Sequence, residues 1–324
     1  MILIEFLKKI RHKYSDKVIL DRDIKKYSPY YATSYFSSKN GCKDSRNILV
    51  FCHVIEKGLS HKNIKPLFAY DRIRIVTNSI NDYLKKGGND SFIINLAVST
   101  IEHYNDINRK MGVPEKKLLA IPEIIKKDSV DVGVDCYNSR DLFLHCDAPF
   151  SVFCASRHSV RLYECKSKSI DKKIILECIK IAQNCPSACN RQAVRLKVIT
   201  NDELIKKVCE IQGGANGFGE NAGALVVVTS IISLYEPDER RIPMLDCGLF
   251  IMNLVYAFFE KKIGSCILNG SFTKEREIKM NSLVPISQDE MYAAIIALSV
   301  IPDDEIIRVA HSPKRLTEDI VDFL

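Results

Sequence analysis

The stretch 184-NCPSACNRQ-192 decides how the rest of this chain is read. Pro186 fixes its own backbone angle and removes a donor, so it stops the amphipathic run before it. Ser187, Asn190 and Gln192 then follow as hydrogen-bonding side chains on a turn. The short strand 195-RLKVIT-200 comes next. Upstream, 157-RHSVR-161 sets two guanidiniums, an imidazole and a hydroxyl within five residues, which is chemistry suited to a phosphate. Each segment alone also reads as ordinary structure: the turn as a helix-capping loop, the basic segment as a solvated lead-in to the helix between them.

Outward from that pair, a helix is predicted at 171–184, with Asp171 in its first turn and apolar residues at 174, 175, 178, 179 and 182. Past the turn come strand 195–200, a helix at 201–210 and the glycine-rich 213-GGANGFGENAG-223. The apolar strand 224-ALVVVTS-230, a long apolar helix at 244–262, strand 264–268, helix 273–281, strand 291–301 and a polar tail complete the order. Strands mixed with helices, without strict β-α-β repetition, predict an α+β fold with a mixed or antiparallel sheet flanked by helices.

The first half reads differently. Residues 1–14 suggest a short amphipathic helix, and 15–45 a loop rich in Tyr, Ser and Lys. Three helices follow: one from Arg46 ended by Gly58, one at 69–86 and one at 91–111. Residues 122–150 lack periodicity and read as a connector. The predicted division is a mainly helical domain over 1–150 and a second domain over 151–324.

Composition narrows the function classes. The 324 residues are 46% hydrophobic and 27% charged, as in a globular protein, and no window reaches the roughly 18 uninterrupted apolar residues of a membrane span. The net charge of +7 has no basic helix, RNP-type strand or zinc motif to organise it, so nucleic acid is not expected. It suits an anionic cofactor or small-molecule substrate. The twelve cysteines include no C-x-x-C pair and accompany no export signal, so reduced thiols and a cytoplasmic location are expected, with no metal.

Taken together and in order, the segments resemble the nitroreductase family, whose members hold FMN at a homodimer interface. Arg157, His158, Ser159 and Arg161 match its R-x-S-x-(R/K) segment, and Pro186, Ser187, Asn190 and Gln192 match its P-S-x-x-N-x-Q segment. Ala188 stands where many members carry a second Ser. Asp246, Gly248 and Asn253 in 246-DCGLFIMNL-254 resemble the start of the family's dimer helix. Leu268, Asn269 and Gly270 fall where members turn a backbone N–H toward flavin N5, Asn216 matches a ring-contacting Asn, and Lys314 and Arg315 match a tail segment that closes on the phosphate. The resemblance covers 151–324 and implies an FMN-dependent oxidoreductase. NADH or NADPH and an acceptor would then exchange hydride with the flavin in ping-pong order. Alternatives that stay open are a scaffold protein with a degenerate flavin site, and an FMN-dependent dehydrogenase or desaturase in bacterial surface-polysaccharide or secondary metabolism.

In the helical half, 53-HVIEKGLSHKN-63 places His53 and Glu56 on one helix face, with Lys57 and Gly58 behind them. These residues read as a charged helix end, as a group reaching a flavin site or an anionic substrate, or as too few ligands for a metal. The segment 231-IISLYEPDERRIP-243 is short where the family often carries helices over the flavin, so the helical domain is a candidate cover.

Overall fold

The computed structural model describes residues 17–31, 34–121 and 129–324, and the fold is α+β. The helix expected at 1–14 lies outside the described residues. The chain forms two compact units, 1–135 with 310–324, and 136–309. The division therefore falls after Asp135 rather than after residue 150, and the tail joins the first unit. Side-chain packing accounts for the first difference. Leu142, Phe143 and Cys146 of the expected connector are buried with Val160, Leu162 and Phe259 of the second unit.

In the helical unit, α1 (Cys42–Leu59), α2 (Tyr70–Lys85) and α3 (Ser91–Lys110) contribute apolar residues at helical spacing to one core. Ile48, Cys52 and Ile55 meet Ile73, Val76 and Ile80, and Ile93, Ala97 and Ile101 close the third side. Gly58 does not end α1, which runs on to Leu59 and is closed by the Ser60 N–H on the carbonyls of Lys57 and Gly58. Asp90 caps α3 by accepting from the Ile93 N–H.

In the second unit, β2 (Val194–Ile199), β3 (Ala224–Ile231), β4 (Gly264–Asn269) and β5 (Glu290–Ser299) form one antiparallel sheet in the order β2-β3-β5-β4. Alternation along β3 and β5 feeds two cores. Ala224, Val226, Val228, Ala294, Ile296 and Leu298 face the helices at Lys172–Ala182 (α4) and Ile242–Glu260 (α6). Leu225, Val227, Ile295 and Ala297 face those at Asp202–Gln212 (α5) and Lys274–Leu283 (α7). Burial on both faces explains why these strands read as continuous apolar runs. By length and hydropathy α6 could cross a membrane, yet over half of its apolar window is buried in this unit, as befits a core helix. Two strands lie where no strand was expected. They are β1 (Val134–Asn138), in the connector, and β6 (Ile306–Ala310), in the tail, and they pair with each other.

Candidate functional site

The turn after α4 is held in a costly conformation. Cys189, Asn190 and Gln192 all have positive φ, at 51°, 53° and 51°, which non-glycine residues rarely adopt. Local bonds hold it: the Gln192 N–H donates to Ser187 Oγ at 3.1 Å, and Gln192 Nε2 to Asn190 Oδ1 at 3.1 Å.

Further bonds come from the segment leading into α6. The Ala188 N–H donates to both oxygens of Asp246, at 3.1 and 3.2 Å, and the Tyr235 hydroxyl donates to Asp246 Oδ2 at 2.7 Å. Arg191 pairs with Glu239 at 3.0 Å and lies 4.9 Å over the Tyr235 ring. Asp246 is 2% exposed, so these donors replace the water it lacks. Burial and the bond to Asp246 push the Tyr235 phenol up to about 12, which keeps it a donor at neutral pH. Beside the turn is a cavity of about 370 Å³, lined by Cys185, Ser187, Gln192, Arg195, Asp246 and Phe250.

The basic segment leaves a short helix, Phe150–Ser156, and runs beside β4, where the Val160 N–H donates to Ser265 O at 2.9 Å. His158 stacks on Tyr137 with ring centroids 5.7 Å apart, and the Arg161 guanidinium lies 5.8 Å from the Phe218 ring. The Nε atoms of Arg157 and Arg161 are buried without a hydrogen-bond partner among the described residues. Cationic donors without an acceptor are what an incoming anion would satisfy.

Gln212 joins the remaining two segments. Its side chain accepts from the Gly214 N–H at 2.7 Å and donates to the Asn269 carbonyl at 3.1 Å, tying the loop that carries Asn216 to the end of β4. Asn216 is exposed on that loop. A Cβ at Gly270 would stand 2.5 Å from the Ala293 carbonyl carbon, so glycine is required for Leu268–Gly270 to turn against β5.

Lys314 and Arg315 lie in the helical unit. Arg315 forms a two-point pair with Asp90, at 3.0 and 2.8 Å. Burial pushes the Asp90 carboxyl up, but Arg315 and the Ile93 N–H outweigh it and hold the group below its usual value. Lys314 lines a pocket with His53 and Glu56. Glu56 is 3% exposed and accepts from the backbone N–H groups of Gly133 and Ser312. His311 lies 3.3 Å from Asp131 and 3.1 Å from Asp135. Among the described residues no three His, Cys, Asp or Glu side chains gather as metal ligands, and the twelve cysteines are free.

Burial raises the Glu56 pKa above 4.5, against the pull of Gly133, Ser312, His311 and Lys314. A carboxyl that binds its proton more tightly folded than unfolded contributes stability fully below its unfolded pKa. That contribution is lost as pH rises through the folded pKa. Glu56→Gln stays neutral, so wild type should weaken relative to it as pH rises from 4.5 through the raised folded pKa. Urea titrations of both proteins across that range check this, and a gap independent of pH would rule it out.

One segment now has its match. Residues 154–216 fit the Nitroreductase family. That span contains the basic segment, α4 and the strained turn. No curated protein matches the sequence. Solved structures similar to about half of this chain include an FMN-dependent nitroreductase from Clostridium difficile, at 16% identity over 53% of this chain and 96% of that one, with a TM-score of 0.44. A Staphylococcus epidermidis protein provisionally named an NAD(P)H:FMN oxidoreductase is 19% identical over 55% of this chain and 96% of its own, with a TM-score of 0.46. A nitroreductase family protein from Clostridium novyi is 19% identical over 48% and 86%, with a TM-score of 0.41.

Around the nitroreductase-like segment, sequence reasoning missed Tyr235, Glu239 and Gln212, which position the turn and the loops. Their partners are remote in sequence, so periodicity carried no sign of them.

Proposed function

We propose that the protein is an FMN-dependent oxidoreductase that passes hydride between NAD(P)H and a small-molecule acceptor in ping-pong order. The observation that carries this reading is the pair Arg157 and Arg161, each with a buried Nε–H lacking an acceptor, inside the nitroreductase-like segment. A flavin phosphate would supply those acceptors, so the residues present fit the cofactor. Bound FMN supplies hydride chemistry at its ring.

The chain's own residues bind and orient. Arg157, Ser159 and Arg161 hold the phosphate, with His158 beside them. Ser187, Asn190 and Gln192, on the turn fixed by Pro186, meet the polar edge of the ring. Leu268–Gly270 presents backbone N–H groups, with Asn216 on the neighbouring loop. Arg315 would have to leave Asp90 to reach a phosphate, so the site is expected to work without it. Exposed Met244, Leu245 and Leu249 on α6 give a second copy of the chain an apolar stripe to cover, consistent with a homodimer. Free thiols throughout suit a reducing, cytoplasmic setting.

The visible spectrum of the purified protein, before and after anaerobic NADH and NADPH, tests this. Flavin bands that bleach with either donor are expected. Bands that resist both would favour a dehydrogenase or desaturase, and a colourless protein that takes up no FMN would leave a scaffold.

A further inference from the structure

The pocket of about 160 Å³ between α1, α3 and the tail of the helical unit has no part in the reading above. Its polar groups are Glu56 and Ser312 in the wall and His53 and Lys314 at the exposed rim, and its apolar side includes Leu49, Phe92 and Leu96. We propose that it binds a small organic monocarboxylate, with the carboxylate on Lys314 and His53 and the carbon chain against Leu49, Phe92 and Leu96.

Four observations point to that ligand class. The first is size. At about 30 Å³ per water the space holds roughly five waters, far below the roughly 300–1,000 Å³ of pockets for drug-sized ligands, so propionate or pyruvate fits and a flavin does not. The second is charge. Lys314 brings a cation to the exposed rim, while Glu56 sits in the wall at 3% exposure with its carboxyl already engaged by the Gly133 and Ser312 N–H groups, so the open position favours an anion. A single permanent cation suits one carboxylate better than a dianion. The third is the wall, whose apolar side chains reward a carbon chain that phosphate lacks.

The fourth is construction. The tail is fixed by the two-point Arg315–Asp90 pair and by the Arg315 guanidinium 4.8 Å over the Phe92 ring. Ser312, beside Lys314, is held at a φ of +49°, a conformation that needs such support, and its N–H is taken by Glu56. The backbone is thus set so that Lys314 borders the pocket. Cys52 also lines it, but burial pushes that thiol up to about 12, so the ligand is bound rather than attacked.

Calorimetric titration of the full-length protein with propionate, pyruvate and inorganic phosphate tests the assignment. A saturable one-to-one complex with propionate or pyruvate is expected, weakened at least about 10-fold in Lys314→Met and unchanged in Arg161→Ala. Leu49→Trp, a substitution at a partly exposed rim position, should fill the space and abolish binding, so the test survives if Lys314→Met does not fold. No carboxylate binding to wild type, equal binding to either pocket variant, or phosphate binding as tightly as propionate would each overturn the proposal.

Discussion

Asp246→Ala should destabilise the sheet unit by about 2–4 kcal/mol, since it leaves two part-buried donors without an acceptor at roughly 1–2 kcal/mol each. The donors are the Ala188 N–H and the Tyr235 hydroxyl, and both end on this one carboxylate. The alanine would also remove the link between α6 and a turn that carries three positive-φ residues, so the turn should relax toward ordinary angles. Asp246→Asn keeps one acceptor oxygen and should lose only about 1–2 kcal/mol. Tyr235→Phe leaves the carboxylate bonded to Ala188 alone and should fall between the two. Urea denaturation followed by circular dichroism ranks the three variants. An Asp246→Ala midpoint equal to wild type would show that water replaces the carboxylate, and that the turn is held by Arg191 and Glu239 instead.

That turn also shows where sequence reading succeeds and where it stops. Pro186, Ser187, Asn190 and Gln192 were legible because turn chemistry is local: a proline ends a helix, and short polar side chains bond to nearby backbone. The strands β3 and β5 were legible because burial on both faces writes itself as an unbroken apolar run. By contrast, β1 and β6 are five-residue strands that, among the described residues, pair only with each other, far apart in the chain, and neither has a long apolar pattern.

The tail was the largest departure from expectation. The family resemblance points Lys314 and Arg315 at a flavin phosphate, whereas in the structure Arg315 bonds Asp90, 225 residues earlier. Nothing in the local pattern 313-PKR-315 could name that acceptor, because a guanidinium fits a phosphate and a carboxylate equally well. The motif around His53 and Glu56 and the tail motif, read separately, prove to line one pocket.

Arg161→Ala should separate cofactor binding from folding. The Nε–H of Arg161 has no acceptor among the described residues, so removing it forfeits no bond seen at that atom. What is lost internally is the contact with the Phe218 ring at 5.8 Å, about 0.5 kcal/mol for a partly exposed cation, and a long 3.5 Å bond from a terminal guanidinium nitrogen to the Ser159 carbonyl. Freed from an unmet buried donor, the flavin-free variant should therefore unfold within about 1 kcal/mol of wild type. The flavin-loaded protein should respond quite differently. A charge-assisted bond to phosphate contributes about 1.5–3 kcal/mol, so FMN affinity should fall about 10- to 150-fold. Arg157→Ala should act in the same way, and the double variant should release its flavin on gel filtration. Riboflavin, which has the ring but no phosphate, gives the decisive comparison: its affinity should barely change in either variant. If riboflavin binding falls as far as FMN binding, the two arginines support the fold of the site rather than the phosphate. If neither ligand is affected, the unmet donors at 157 and 161 face something other than a flavin.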